Sequence, residues 1–303
     1  MKRELISFNC TSTTKFSITT NHEKEMAYHT RSNSFPSRSH PLIQEVDEQL
    51  CRLRSSEASS TSSSSSSISY QLHGLQDLHD CVDRLLQLPL NQQALAQEKH
   101  GNWANELLDR SLRLLDICST AKDALLLTKE CIQNLQSIIR RRGGEESDLL
   151  ASEVRKYFSS RKMVKKSLHK AMGNLKGIEN KYNFSSLSKD QETIAIINKL
   201  RDVEAVTQTV FEAILSFITG PKVSSSWSFI SKKLQSKRVA CEEEQVNEFA
   251  EVDAALKSHK SLDNAQNQLN NLETCIQDQE EGLECLFRQL IKTRVSLLNI
   301  LNH

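Results

Sequence analysis

Six aliphatic residues near the end of the sequence, Leu262, Leu269, Ile276, Leu283, Leu290 and Leu297, stand at unbroken intervals of seven. That spacing keeps apolar side chains on one seam of an α-helix, whereas a strand would need them at every second position. Ala265, Leu272, Leu286 and Ile300 supply a second row, which Gln279 and Thr293 interrupt. Polar residues in such a row cost stability and can fix register or partner number. The seam has two uses: packing within the chain's own bundle, or coiling with another copy, which would make 262–300 a homo-oligomer contact. A 3.5-residue period is normal inside bundles, so the first use is the primary expectation.

The rest of the sequence agrees with a helical fold. It holds only 4 Pro and 8 Gly in 303 residues, and 5% aromatic residues, too little turn and strand chemistry for an all-β or α/β fold. From Ile68 the apolar spacing predicts one helix through Leu72, Leu75, Leu78, Val82, Leu85 and Leu86, stopping near Leu88-Pro89. No proline follows until Pro221, and Gly143-Gly144 divides a helix at about 102–142 from another at about 145–182. Asn183–Ser188 reads as a polar turn. A further helix, Lys189–Thr219, should end at Gly220-Pro221. Trp227, Phe229, Ile230 and Leu234 read as a short amphipathic helix. In the 102–142 helix, Leu107, Leu114, Cys118, Ala121, Leu125, Ile132, Leu135 and Ile139 form a weaker seam. Leu108, Leu112, Leu115 and Leu126 widen it, which predicts neighbours on two sides.

The N-terminal part is different. Residues 1–40 lack a period and are rich in Ser, Thr and Asn, so they read as a disordered arm. In 41–67, a short helix after Pro41, carried by Leu42, Val46, Leu50 and Leu53, precedes a linker in which Ser fills eleven of the fifteen positions from Ser55 to Ser69. The bundle domain is then 68–303. Residues 1–22 carry eight hydroxyl side chains and one acid, Glu4, faintly like a transit peptide. A cytoplasmic location is the expectation, with an organellar one as the alternative.

Composition narrows function by exclusion. With 39 basic and 38 acidic residues the net charge is +1, which disfavours wholesale polyanion binding. The eight cysteines are scattered, at least ten residues apart, without metal-type C-x-x-C pairs, and read as thiols. His73, Asp77 and Asp80 share a helical side but point away from Val82, Leu75 and Leu86, so they read as a solvated face rather than metal ligands; His79 lies nearer the apolar edge. No nucleophilic triad, Gly-rich phosphate loop or cofactor motif stands out, so a non-enzymatic protein without cofactor is expected.

Two features remain as candidate sites. Arg155, Lys162, Lys165, Lys166, Lys170 and Lys176 line one side of the helix after Gly144, opposite Val154, Tyr157, Val164, Leu168, Met172, Leu175 and Ile178; Gly173 and Gly177 fall on the basic side. Such a face is either merely solvated, partly neutralised by Glu242, Glu243, Glu244, Glu248 and Glu251, or engages an acidic protein or the anionic cytoplasmic leaflet. Aromatic residues do not interleave with these charges, which disfavours sequence-specific nucleic acid. In the arm, Arg31-Ser32-Asn33-Ser34-Phe35-Pro36 has the form of a 14-3-3 adaptor ligand: phosphorylated Ser34 would present charge to an Arg cluster, and Pro36 would turn the chain out of the groove.

Several blocks in order carry a family likeness: Met26-Ala27-Tyr28-His29-Thr30-Arg31-Ser32-Asn33-Ser34-Phe35-Pro36, Leu50-Cys51-Arg52-Leu53-Arg54-Ser55-Ser56, Cys81-Val82-Asp83-Arg84-Leu85-Leu86-Gln87-Leu88-Pro89, the run Leu107–Lys122, and Glu153-Val154-Arg155-Lys156-Tyr157. Together they resemble the plant "domain of unknown function 241" family, related to BYPASS-type proteins of root and shoot development. Residues 1–25 fall outside the pattern, as an extension or an upstream start. The resemblance implies a plant origin, a helical body and a developmental or stress-related role, and it supplies no catalytic residue. The combined expectation is an all-α, elongated bundle of long, partly heptad-patterned helices behind a disordered Ser-rich arm, working through protein partners.

Overall fold

The structure, a computed structural model, describes residues 40–59, 64–98, 101–141, 147–176, 191–220, 247–258 and 262–302. Every regular element among them is an α-helix: α1 (Pro41–Ser59), α2 (Ser65–Leu86), α3 (Pro89–Gln97), α4 (Asn102–Arg140), α5 (Ser147–Lys176), α6 (Gln191–Thr219), α7 (Glu248–Ser258) and α8 (Leu262–Asn302). The all-α expectation holds. At 1.5 Å per residue, the 39-residue α4 and 41-residue α8 are each about 60 Å long.

The two longest helices form the central pair. Cys118 Sγ approaches the Leu283 carbonyl at 3.5 Å, Gln133 bonds Glu273 at 2.9 Å, and Arg294 bonds Ser111 Oγ at 2.7 Å, so α4 and α8 run antiparallel. Leu269, Ile276, Leu283, Leu290 and Leu297 are all buried. The heptad seam is therefore filled inside the chain, against α4 and α2. The α4 seam from Leu107 to Ile139 is buried as well, with α5 and α6 also packed on α4. Leu112 and Leu126 depart from expectation: they stay 47% and 52% exposed, because they lie beyond the edges that α5, α6 and α8 cover, while Leu108 and Leu115 are partly buried.

Three local differences have simple causes. The serine-rich stretch is helical at both ends, since Ser55 and Ser56 bond back to the carbonyls of Cys51 and Leu53, and Ser64 caps α2 by accepting from the Ser67 amide at 3.3 Å. Helix α1 packs on α2 and α6 and contributes Val46, Leu50 and Leu53 to the same core. Helix α2 ends at Leu86, and Pro89 opens α3 rather than merely closing α2, as proline at a first helical position allows.

At the end of α6, Gly220 takes a positive φ of 77°, the left-handed cap a side chain would strain. Asn247 then joins two helix ends: its Nδ2 donates to the Phe217 carbonyl at 2.7 Å, and its Oδ1 accepts from the Ala250 amide at 3.0 Å, starting α7. Phe217 and Phe249 stack edge to face at 5.4 Å. The arm with Ser34, the Asn183–Ser188 turn and the Trp227–Leu234 segment lie outside the described residues.

Candidate functional site

Helix α5 lies on α4 and α6 through Tyr157, Val164, Leu168, Ala171 and Leu175, all buried. Around the same cylinder, Tyr157, Arg161 and Lys165 stand at i, i+4 and i+8, one line of neighbours. They converge on Asp253 of α7. The Tyr157 hydroxyl donates to Oδ1 at 2.9 Å, Lys165 Nζ reaches Oδ2 at 3.2 Å, and Arg161 Nε lies 3.6 Å from Oδ1. Arg161, itself buried, also donates to the Ile218 carbonyl at 2.9 Å and sits over the Phe249 ring. One guanidinium thus ties α5, α6 and α7 together. Burial first, then the Asp253 charge, pushes the Tyr157 hydroxyl well above its usual range.

This clamp sorts the predicted basic residues. Lys165 is committed to Asp253 and leaves the outer face. Arg155, Lys162, Lys166 and Lys170 are exposed, and Lys156 joins them with a pair to Glu153 at 3.0 Å. Lys162, Lys166 and Lys170 carry no ion pair among the described residues. Lys176 closes the helix, its side chain outside the described set. Between residues 155 and 170 the sequence contains no Asp or Glu, so the exposed stripe is uniformly cationic over about 22 Å. Gly173 lies on it, with nothing within 4 Å of an added Cβ.

The neutralising acid differs from the expected ones. Glu248 bonds Ser65 on α2 at 2.5 Å instead of reaching α5, and Glu242–Glu244 lie outside the described residues. Arg161 and Asp253 were missed by the sequence reading. The line Tyr157, Arg161, Lys165 was visible in the sequence, but its acidic partner sits nearly ninety positions away with no local signal.

The remaining candidates are placed as follows. His73 and Asp77 are exposed and Asp80 pairs with Arg84 at 3.3 Å, the solvated face expected. His79 is buried, its Nε2 3.0 Å from Thr207 Oγ1. Among the described residues no group of His, Cys, Asp and Glu could hold a metal, and no helix is long and apolar enough to cross a membrane.

Fold and site together define a class: a helical bundle with a hydrophobic interior and a cationic outer helix. Residues 71–300 match the family described as Protein BPS1, and the chain belongs to that family. The match agrees with the likeness of the blocks at 81–89, 107–122 and 153–157 to the BYPASS-related group, while those at 26–36 and 50–56 lie outside it, and membership supports a plant protein with a part in development. No curated protein and no solved structure shows a match.

Proposed function

We propose that this protein works without catalysis or cofactor, by docking an acidic protein partner on the outer face of α5. The carrying observation is the exposed stripe Arg155, Lys162, Lys166 and Lys170, free of acids along its length, while the clamp at Asp253 holds the inner face fixed. A rigid row of like charge attracts complementary surfaces and steers their approach. Exposed Met163 beside the stripe adds an adaptable apolar contact. Phosphorylated Ser34, with Arg31 and Pro36, is a second docking element for 14-3-3-type adaptors, supported by its motif alone.

The test is affinity purification of the full chain beside Lys162→Glu/Lys166→Glu/Lys170→Glu and Ser34→Ala variants. Lys165 is left intact to keep Asp253 paired. Partners absent from the triple variant, with its helical circular dichroism unchanged, support the α5 reading; identical recovery by both removes it. Adaptors captured equally with Ser34→Ala remove the phosphosite.

A second reading is favoured by Met163 and Leu149, 61% and 55% exposed on the cationic helix: insertion of apolar side chains into an anionic bilayer. Flotation with phosphatidylserine-rich vesicles separates the two. Binding lost at high salt and in the triple variant favours lipid, and none favours protein.

A further inference from the structure

The heptad seam of α8 is filled from within, yet the outer side of the α4–α8 pair keeps apolar residues in water. Leu112 on α4 is 47% exposed, and Ile291 and Val295 on α8 are 41% and 48% exposed. The antiparallel register, fixed by Arg294 on Ser111 and by Lys122 over the Phe287 ring at 4.8 Å, places these side chains at one level. Partly buried Leu108, Leu115 and Phe287 floor the seam between them. Isolated exposed leucines are ordinary, but Leu112, Ile291 and Val295, exposed at one level of two neighbouring helices, mark a contact surface.

The charges beside the seam indicate what covers it. On α4, one step further around the helix, lie the exposed acids Asp109 and Asp116, with no ion pair among the described residues. On α8 the matching outer position holds Arg288, paired among the described residues only with Glu284 of its own helix, 3.0 Å away, followed by Lys292, which is committed to the buried Asp83 at 2.9 Å. Beside the seam, α4 thus carries Asp109 and Asp116 with the exposed Arg113 further around, and α8 carries the Arg288–Glu284 pair. A two-fold axis running along the helices lays α4 of each copy over α8 of the other and sets Asp116 opposite Arg288 twice. A two-fold across the helices would set Asp109 and Asp116 against themselves, which like-charge repulsion disfavours.

We propose that a second copy of this chain covers the seam, forming a symmetric dimer in which Leu112, Ile291 and Val295 interlock and each Asp116 meets the Arg288 of the other copy. Self-association then uses the outer face of α8 rather than its heptad seam. The surface is separate from the α5 stripe, so the two proposals stand or fall independently.

Sedimentation velocity of the full chain from about 1 to 100 μM tests it. The intact chain should shift from monomer to dimer across that range. Ile291→Glu and Asp116→Arg should each raise the dissociation constant at least about tenfold, and Asp116→Arg combined with Arg288→Asp should recover most of the loss. Asp116 and Arg288 are exposed, so these variants decide the matter even if Ile291→Glu loses its helical signal. A chain monomeric throughout, an association that Asp116→Arg does not weaken, or a double variant no better than the single would overturn the proposal.

Discussion

Buried polar residues set the pH response. His79 is enclosed in the core, and burial pushes its imidazole down to about 4 from the usual 6.5. Thr207 Oγ1 donates to the Val203 carbonyl, so His79 Nε2–H donates to Thr207, and burial keeps the ring neutral. The unfolded chain takes up that proton more readily, so stability is full above about 6.5 and declines as pH falls toward 4, by about 3 kcal/mol in all. Partly buried Glu204 has the opposite sign: desolvation raises its carboxyl, which favours the folded state at lower pH. The difference between variant and wild type isolates the histidine. Urea unfolding of His79→Gln should show a clearly smaller drop from pH 7 to pH 5 than wild type; equal drops would refute the assignment. At Asp253, substitution by Ala leaves the buried Arg161 uncompensated and should cost about 3 kcal/mol, read as a lower urea midpoint. His79 was legible from the sequence as a core-border residue, because neighbouring apolar spacing reports burial. The charge partners of Arg161 and Asp83, Asp253 and Lys292, were not, because each comes from a helix far along the chain.

At the level of helices, α8 carries a polar defect that its period announced. Gln279 interrupts the second row, is fully buried, and among the described residues bonds only Cys275 Sγ through its amide nitrogen, with no partner there for Oε1. Gln279→Leu removes the unsatisfied acceptor at similar volume and should raise stability by about 1–2 kcal/mol, seen as a higher melting temperature. An unchanged or lower value would mean that the glutamine fits better than its bonding suggests. Gly173 on α5 is exposed within a helix, so Gly173→Ala should stabilise by about 1 kcal/mol. If a partner approaches the backbone there, the same substitution weakens its binding. Long helices were legible almost to the residue: 102–142 was expected and Asn102–Arg140 found. Helices α3 and α7, of 9 and 11 residues, were not anticipated. They span too few turns to show a period, and their apolar residues, such as Leu95, Phe249 and Val252, are anchored by tertiary contact.

Over the whole molecule, one interior collects apolar side chains from all eight described helices and leaves distinct chemistry outside. The cationic stripe of α5 was legible as a face of one helix; its division into spent and available charges was not, because that depends on where α7 docks. Helix α5 is tied to α7 through its Asp253 clamp, so binding there should leave the fold unchanged and add protection locally. The most direct test is amide hydrogen exchange of the full chain, alone and saturated with a partner recovered by wild type and lost by the triple lysine variant. Slowed exchange concentrated in residues 155–173, with α2 and α8 unaltered, is predicted. Protection elsewhere with α5 unchanged would contradict it.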